Sequence, residues 1–154
     1  MKSGQSEQQA KNEEQAIYIL PFDVQLQNIF AIEVAAKRFP VEFSQSHLSP
    51  NVELSLSEVQ VSKENLQAQV VLNVNVGFID EPRLFEISFK LLGAFTYKQD
   101  YSTETVHMFL EQGSLSVMLP FARELLVSLC TRLQIPPLLL PLIRLALPPV
   151  VEEM

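Results

Sequence analysis

The stretch VMLPFARELLVSLCTRLQIPP, residues 117–137, decides how the rest of the chain is read. After Pro120, the residues Phe121, Leu125, Leu129 and Leu133, with Ala122, Leu126 and Cys130 beside them, recur at helical spacing and predict an apolar ridge. Arg123, Glu124 and Arg132 fall away from it. Pro120 is expected in the first turn of this helix, where its missing N–H is harmless, or at a kink. Upstream, Ser102 or Thr103 is a candidate cap for a separate short helix with Val106, Phe109 and Leu110 apolar, ending near Gly113.

Before the helices the apolar period is two, which is the signature of strands. Phe22, Val24 and Leu26 share one face, and Phe30, Ile32 and Val34 resume after an irregular step, so a long strand with a bulge near Asn28 is predicted. Phe39, Val41 and Phe43 alternate across Pro40, as in an edge or irregular segment. A second strand runs from Val52 through Leu54 and Leu56 to Val61, with a turn at Lys63-Glu64-Asn65. Leu66 to Val76 make the third strand, and Phe85, Ile87, Phe89 and Leu91 lead the fourth. Short turns between successive strands predict an antiparallel meander. The expected fold class is α+β, a four-stranded antiparallel sheet with helices packed on one face.

A chain of 154 residues is one domain by size. Residues 1–16 read as a disordered polar arm, 17–145 as the α+β domain, and 146–154 as a short Pro-rich, acidic end. The arm lacks the apolar core of a signal peptide. Residues 135–151 are nearly all apolar, but Pro136, Pro137, Pro141, Pro148, Pro149 and Arg144 argue against a membrane span and for a packed extended tail. A net charge of -7 argues against a nucleic-acid partner, since that affinity rests on cations neutralising phosphates. Unfolded or basic polypeptides fit better. The single Cys130 rules out a disulfide framework within the chain and is compatible with a cytoplasmic protein.

Chemistry is sparse. His47 and His107 lie near no Cys or carboxylate at a metal-ligand spacing, so neither a metal nor a cofactor is expected. No phosphate loop, nucleophile elbow or dinucleotide fingerprint occurs, and Glu111 and Glu124 make no evident acid and base pair. An enzyme is not expected.

The sequence resembles the SecB family of export chaperones. Pro120, Phe121, Ala122, Arg123 and Glu124 match the Pro-aromatic-Ala-Arg-Glu start of that family's signature helix, and the Pro-Leu run after Gln134 matches its return segment. Gly93-Ala94-Phe95 resembles the family's step at the end of the fourth strand, and Asn51 to Leu56 its acidic-apolar second strand, so the resemblance covers residues 22–145. It implies an ATP-independent holdase that binds unfolded or nonnative polypeptides in apolar grooves for protein export. It also implies a dimer of dimers in which sheets pair across the subunit boundary.

On that basis Phe39, Phe43, Phe85, Phe109, Leu115, Met118 and Leu119 are the candidate client groove, each equally eligible as core. Ile87, Phe89 and Leu91 are expected at or near the subunit contact, since Monomers rarely carry large bare apolar patches. The family's acidic face for the translocation motor SecA falls on Ala31, Ala35 and Ser88, which counts against motor docking; a register two residues along brings in Glu33 and Glu86. The family's second helix and mobile acidic tail are replaced by the Pro-rich end. Two alternatives stay open: a specialised SecB-like chaperone for a dedicated client such as an antitoxin, and an oligomeric scaffold on the same fold without chaperone activity.

Overall fold

Alternating apolar residues build long strands, and one long helix packs against them. The computed structural model describes residues 16–41, 50–79, 82–98, 100–136, 138 and 144–146. The strands are β1 (Ala16–Tyr18), β2 (Val24–Arg38), β3 (Asn51–Leu56), β4 (Gln60–Ser62), β5 (Gln67–Gly77), β6 (Phe85–Tyr97) and β7 (Arg144–Ala146), with helix α1 (Thr103–Leu133) between β6 and β7. The main sheet has the order β2-β6-β5-β3, all antiparallel, and β4 also pairs with β5. β1 and β7 pair in parallel as a separate ribbon.

The sheet departs from the expected meander in two ways. The first long strand does not neighbour the second: β2 crosses over to pair with β6, leaving a Greek-key order. The expected second strand is broken at residues 57–59 into β3 and β4, so the sheet has five strands. At the break Ser57 exchanges hydrogen bonds with Val71, its N–H donating to the Val71 carbonyl at 2.8 Å and its Oγ accepting from the Val71 N–H at 2.9 Å, while Val59 turns into the core. The bulge expected near Asn28 is present, since the register slips between Leu26 and Asn28; a second slip lies between Ala31 and Glu33. The turn after β4 ends on Leu66, which takes a left-handed φ of 52°.

The two expected helices are one. α1 runs for 31 residues through both Gly113 and Pro120. At 1.5 Å per residue it spans about 46 Å, close to the about 43 Å of thirteen residues of β6. Ser102 caps it, its Oγ accepting from the Thr105 N–H at 3.2 Å. At the other end Gln134 adopts the left-handed conformation, and Arg38 donates through Nη1 to the carbonyls of Leu133 and Gln134 at 2.9 and 3.0 Å. That places a cation at the negative end of the helix dipole.

Packing explains why Gly113 and Pro120 do not end the helix. Val106, Leu110, Ser114, Met118, Ala122, Leu126 and Cys130, every fourth residue, are completely buried. Fully burying a large apolar side chain contributes about 1.5–3 kcal/mol, so Val106, Leu110, Met118 and Leu126 together outweigh the about 4 kcal/mol that one Gly and one Pro cost in a helix interior. A step of four residues turns the buried row about 40° around the axis each time. No single straight face results. The row follows a sheet of long, twisted strands and takes further cover from β1 and β4, both of which α1 contacts. The ridge expected through Phe121 and Leu125 is therefore the less buried neighbour of the true one, with Phe121 43% exposed. By length and apolarity α1 passes as a membrane span, but the seven-residue row marks it as a core helix.

β5 and β6 supply the floor. Val70, Leu72, Val74 and Val76 stand beside Gly93, Leu91, Phe89 and Ile87, and these residues are buried on the side facing α1. Gly93 lets the helix come close: a Cβ there would lie 3.0 Å from Met118 Cε and 3.1 Å from Met118 Sδ and Phe95 Cε2. Gly93→Val is expected to cost about 1–3 kcal/mol by overpacking, seen as a lower urea midpoint. Met118→Ala in the same chain should recover part of that loss, and strictly additive costs would show that Met118 is not what Gly93 makes room for.

Candidate functional site

Strand parity decides which side chains are available to a partner. On β6 the odd residues Phe85, Ile87, Phe89 and Leu91 all lie beneath α1, none more than 4% exposed. Ile87, Phe89 and Leu91, expected at a subunit contact, are thus core of the single chain. They do not compete with Phe85 for cover, because residues two apart on a strand share a face and one helix covers all four.

The candidate groove residues divide in the same way. Phe85, Phe109, Met118 and Leu119 are buried, at 0, 7, 0 and 4% exposure, and as placed contribute almost no surface. Leu115 is half-buried. Phe39 is half-buried just past β2, with its N–H bonded to the Leu84 carbonyl at 2.9 Å and the Lys37 ammonium 4.9 Å from its ring centroid. Phe43 and His47 lie outside the described residues.

Two apolar surfaces remain: periodicity marked Phe30, Ile32, Val34, Phe39 and Val41 as apolar, but not that they would stay at the surface. The first gathers at the end of the sheet where β2 stops and β6 begins. There Phe39 and Leu84 are hydrogen-bonded neighbours, Phe78 meets Phe85 edge-on at 4.9 Å, and Val41 and Ile79 are exposed, Ile79 by 74%. The second runs along β2, which is an edge strand of the main sheet. Phe30, Ile32 and Val34 are each nearly half exposed. Beside them a groove of about 280 Å³ separates β2 from α1, lined by Ile29, Phe30 and Ala31 on one wall and Phe121 and Leu125 on the other, with Glu124 and Ser128 as its polar groups. The signal in the sequence was the irregular step before Asn28: the bulge there and a second one between Ala31 and Glu33 let apolar residues point to both sides of β2.

The sheet face turned away from α1 carries charges of both signs, with Glu53, opposite Asn75, as a further carboxylate. Glu33 forms an ion pair with Lys90 at 3.4 Å, and Glu86 stands across from Lys37 in the register. Each carboxylate expected to form an acidic docking face therefore has a lysine beside it. Ala35 and Ser88 face each other on the same side, whereas Ala31 pairs with Leu91 beneath the helix. Exposed pairs of this kind contribute about 0–1 kcal/mol and cancel in charge.

At the opposite end of the sheet Tyr101 donates its hydroxyl to Asp23 Oδ2 at 2.5 Å and sets its ring edge-on to Phe109 at 5.3 Å. Burial pushes the Tyr101 phenol up to about 12, and the bond to Asp23 and its charge add to that. The phenol is held protonated, so its contribution is complete below the ordinary value near 10 and is lost as pH rises toward about 12. Cys130 is buried and free, and burial raises its thiol, which makes it a poor nucleophile. Among the described residues no group of His, Cys, Asp and Glu is placed to hold a metal.

The family model for SecB, described as preprotein translocase subunit SecB, matches residues 21–146. The chain belongs to the SecB family. This membership assigns it a chaperone role and not catalysis. Among solved structures it is similar to the Mycobacterium tuberculosis SecB-like chaperone Rv1957, solved in complex with a ChAD peptide from the Rv1956 HigA1 antitoxin. That match has a TM-score of 0.69 at 18% identity and covers 79% of this chain and 91% of the other. A Streptococcus agalactiae protein of unknown function matches with a TM-score of 0.42 at 13% identity, over 77% of this chain and 97% of the other. No curated protein sequence matches. The SecB-like fold, with its antiparallel sheet and long helix, is thus the one expected from residues 120–124 and the strand order that precedes them.

Core and surface placements predict different losses. Phe89→Ala is expected to destabilise the folded chain by about 3–5 kcal/mol, read as a fall in the urea midpoint. Phe30→Asp should change that midpoint by less than about 1 kcal/mol once chains are separated, because the side chain is already half in water. The reverse order would mean that β6 lies on the surface and β2 in the core.

Proposed function

We propose that this SecB-family chain is a cytoplasmic, ATP-independent holdase that binds apolar stretches of nonnative polypeptides and acts as a homo-oligomer. The observation that carries the reading is the apolar surface a single chain leaves bare. Phe30, Ile32, Val34 and Phe121 line an open strand edge and its groove, and Val41 and Ile79 cap an aromatic sheet end. A long, apolar edge strand left open in solution is a template for pairing, so a stable protein must cover it or use it.

β2 serves assembly in this reading. Edge-to-edge pairing of two copies would continue the sheet and close the groove at Phe30 and Phe121, consistent with the sheet pairing that family resemblance implies. A stable contact of this type buries on the order of 1,200–2,000 Å². The sheet end at Phe39, Val41, Phe78 and Ile79 then remains for clients. Aromatic and aliphatic side chains there offer adaptable contact area to many sequences. Binding spread over several copies multiplies weak contacts into useful affinity.

Delivery to SecA is the less favoured destination, because Glu33 and Glu86 each stand beside a lysine that offsets their charge. A dedicated client is the better-supported second reading, and the likeness to a chaperone solved with an antitoxin peptide supports it as an example of the same fold in that role.

Light scattering from a refolding client, with and without the chaperone and without nucleotide, tests the proposal. Suppression at about one assembly per client is expected, with a mass several times the 17.4 kDa of one chain. Phe30→Asp combined with Phe121→Asp should bring the mass down to one chain and weaken suppression. An oligomeric wild type that leaves several clients aggregating would overturn the holdase reading in favour of a scaffold. Tight SecA binding would restore export delivery.

A further inference from the structure

The buried row of α1 is not uniform. In its second half Met118, Ala122, Leu126 and Cys130 pack with no unpartnered buried polar side-chain atom beside them on the helix among the described residues, and Arg38 secures the C-terminal carbonyls. In its first half the row includes Ser114, whose Oγ is completely buried without a hydrogen-bond partner. Gln112 Oε1 on the same half and the hydroxyl of Tyr97, the last residue of β6, are also buried without partners. Between the halves the helix is weakened at several successive points. Gly113 lowers its local propensity, and Ser116 Oγ donates to the Gly113 carbonyl at 2.7 Å. Pro120 has no N–H to return to the Ser116 carbonyl. At its start the first half is fastened by Tyr101, through the hydroxyl on Asp23 and the ring against Phe109.

We propose that residues 103–112 form a movable arm of α1, hinged at 113–120 and latched by Tyr101 on Asp23, whose release bares Val106, Phe109 and Leu110 as a second surface for an apolar polypeptide stretch. The choice of ligand rests on the holdase reading; the movement of the arm does not. Lifting the arm exposes apolar surface, which opposes it, but opening the hinge at Ser114 and freeing Gln112 and Tyr97 also hydrates polar atoms that are buried without partners, which favours it. The second half has no such offset. The two halves therefore differ in opening free energy even though one continuous helix contains both, as expected for local units of unequal stability. Client affinity scales with the fraction of chains in the open state, so a tenfold change in that fraction is a tenfold change in apparent affinity while the open state is rare.

Hydrogen exchange by mass spectrometry on the full chain reads the arm directly. In the wild type, amides of residues 106–112 should exchange faster than those of 122–130. Tyr101→Phe is expected to speed exchange in 106–112 by about tenfold or more, the effect of losing a hydrogen bond to a charged group, and to leave 122–130 unchanged. Ser114→Ala should act in the opposite direction, slowing the arm by about fivefold or more because no hydroxyl is left to hydrate; Pro120→Ala, which restores an N–H at the hinge, should also slow it. Asp23→Asn replaces Tyr101→Phe should that chain fail to fold. Equal exchange in the two halves, or acceleration of both by the latch variant, overturns the arm. The same variants are titrated against reduced, carboxymethylated α-lactalbumin, and apparent affinity should rise with the latch variant and fall with Ser114→Ala in proportion to exchange. Exchange that shifts as expected while affinity stays constant overturns the cryptic surface, and absence of binding by every variant overturns the holdase reading instead.

Discussion

The structure depends on the contact between the row of fully buried residues on α1 and the floor made by β5 and β6. Gly93 permits that contact, since any larger side chain there would meet Met118 at about van der Waals overlap. Around this point the helix and β6 run for nearly the same length, so the inward side of β5 and β6 is covered by one element. The hydrophobic gain of the row is what carries the helix across Gly113 and Pro120, two residues that local propensity treats as ends.

A sheet covered on one face by one helix leaves consequences elsewhere. β2 lies at the margin of that cover and has no buried side chain beyond Val24, so its apolar residues remain partly in water. Its bulges aim some of them toward the helix and others away, and the groove at Phe30 and Phe121 follows from this geometry. The face turned away from the helix carries opposite charges in register, Glu33 beside Lys90 and Glu86 across from Lys37. Apolar margins beside a polar face of mixed charge present contact area for other polypeptides.

Much of the architecture was legible in residue order. Strict alternation in β5 and the odd residues of β6 reported a half-buried sheet, and Pro120 to Glu124 reported the family. The irregular step before Asn28 reported a bulge. Other features were hidden for identifiable reasons. Period two says which residues share a face but not what covers it, so Ile87, Phe89 and Leu91 were equally compatible with a partner subunit and with the chain's own helix. A buried row with period four drifts around the axis and leaves no fixed apolar stripe, which is why Phe121 and Leu125 read as the ridge and Ser114 went unnoticed. Short turns predict hairpins, but the segment between β2 and β3 is long enough to let β2 reach β6 instead.

By itself the sequence determined the elements, their polar and apolar faces, the family, and the absence of recognisable catalytic motifs, because these follow from local spacing and side-chain chemistry. Tertiary structure decided which strand is the edge, that two helical segments are one, and which aromatic residues are core and which are surface. Those outcomes turn on contacts between residues far apart in the chain, such as Gly93 with Met118, Arg38 with the end of α1, and Tyr101 with Asp23. No local pattern encodes them, since each is selected by the free energy of packing the whole sheet beneath the whole helix.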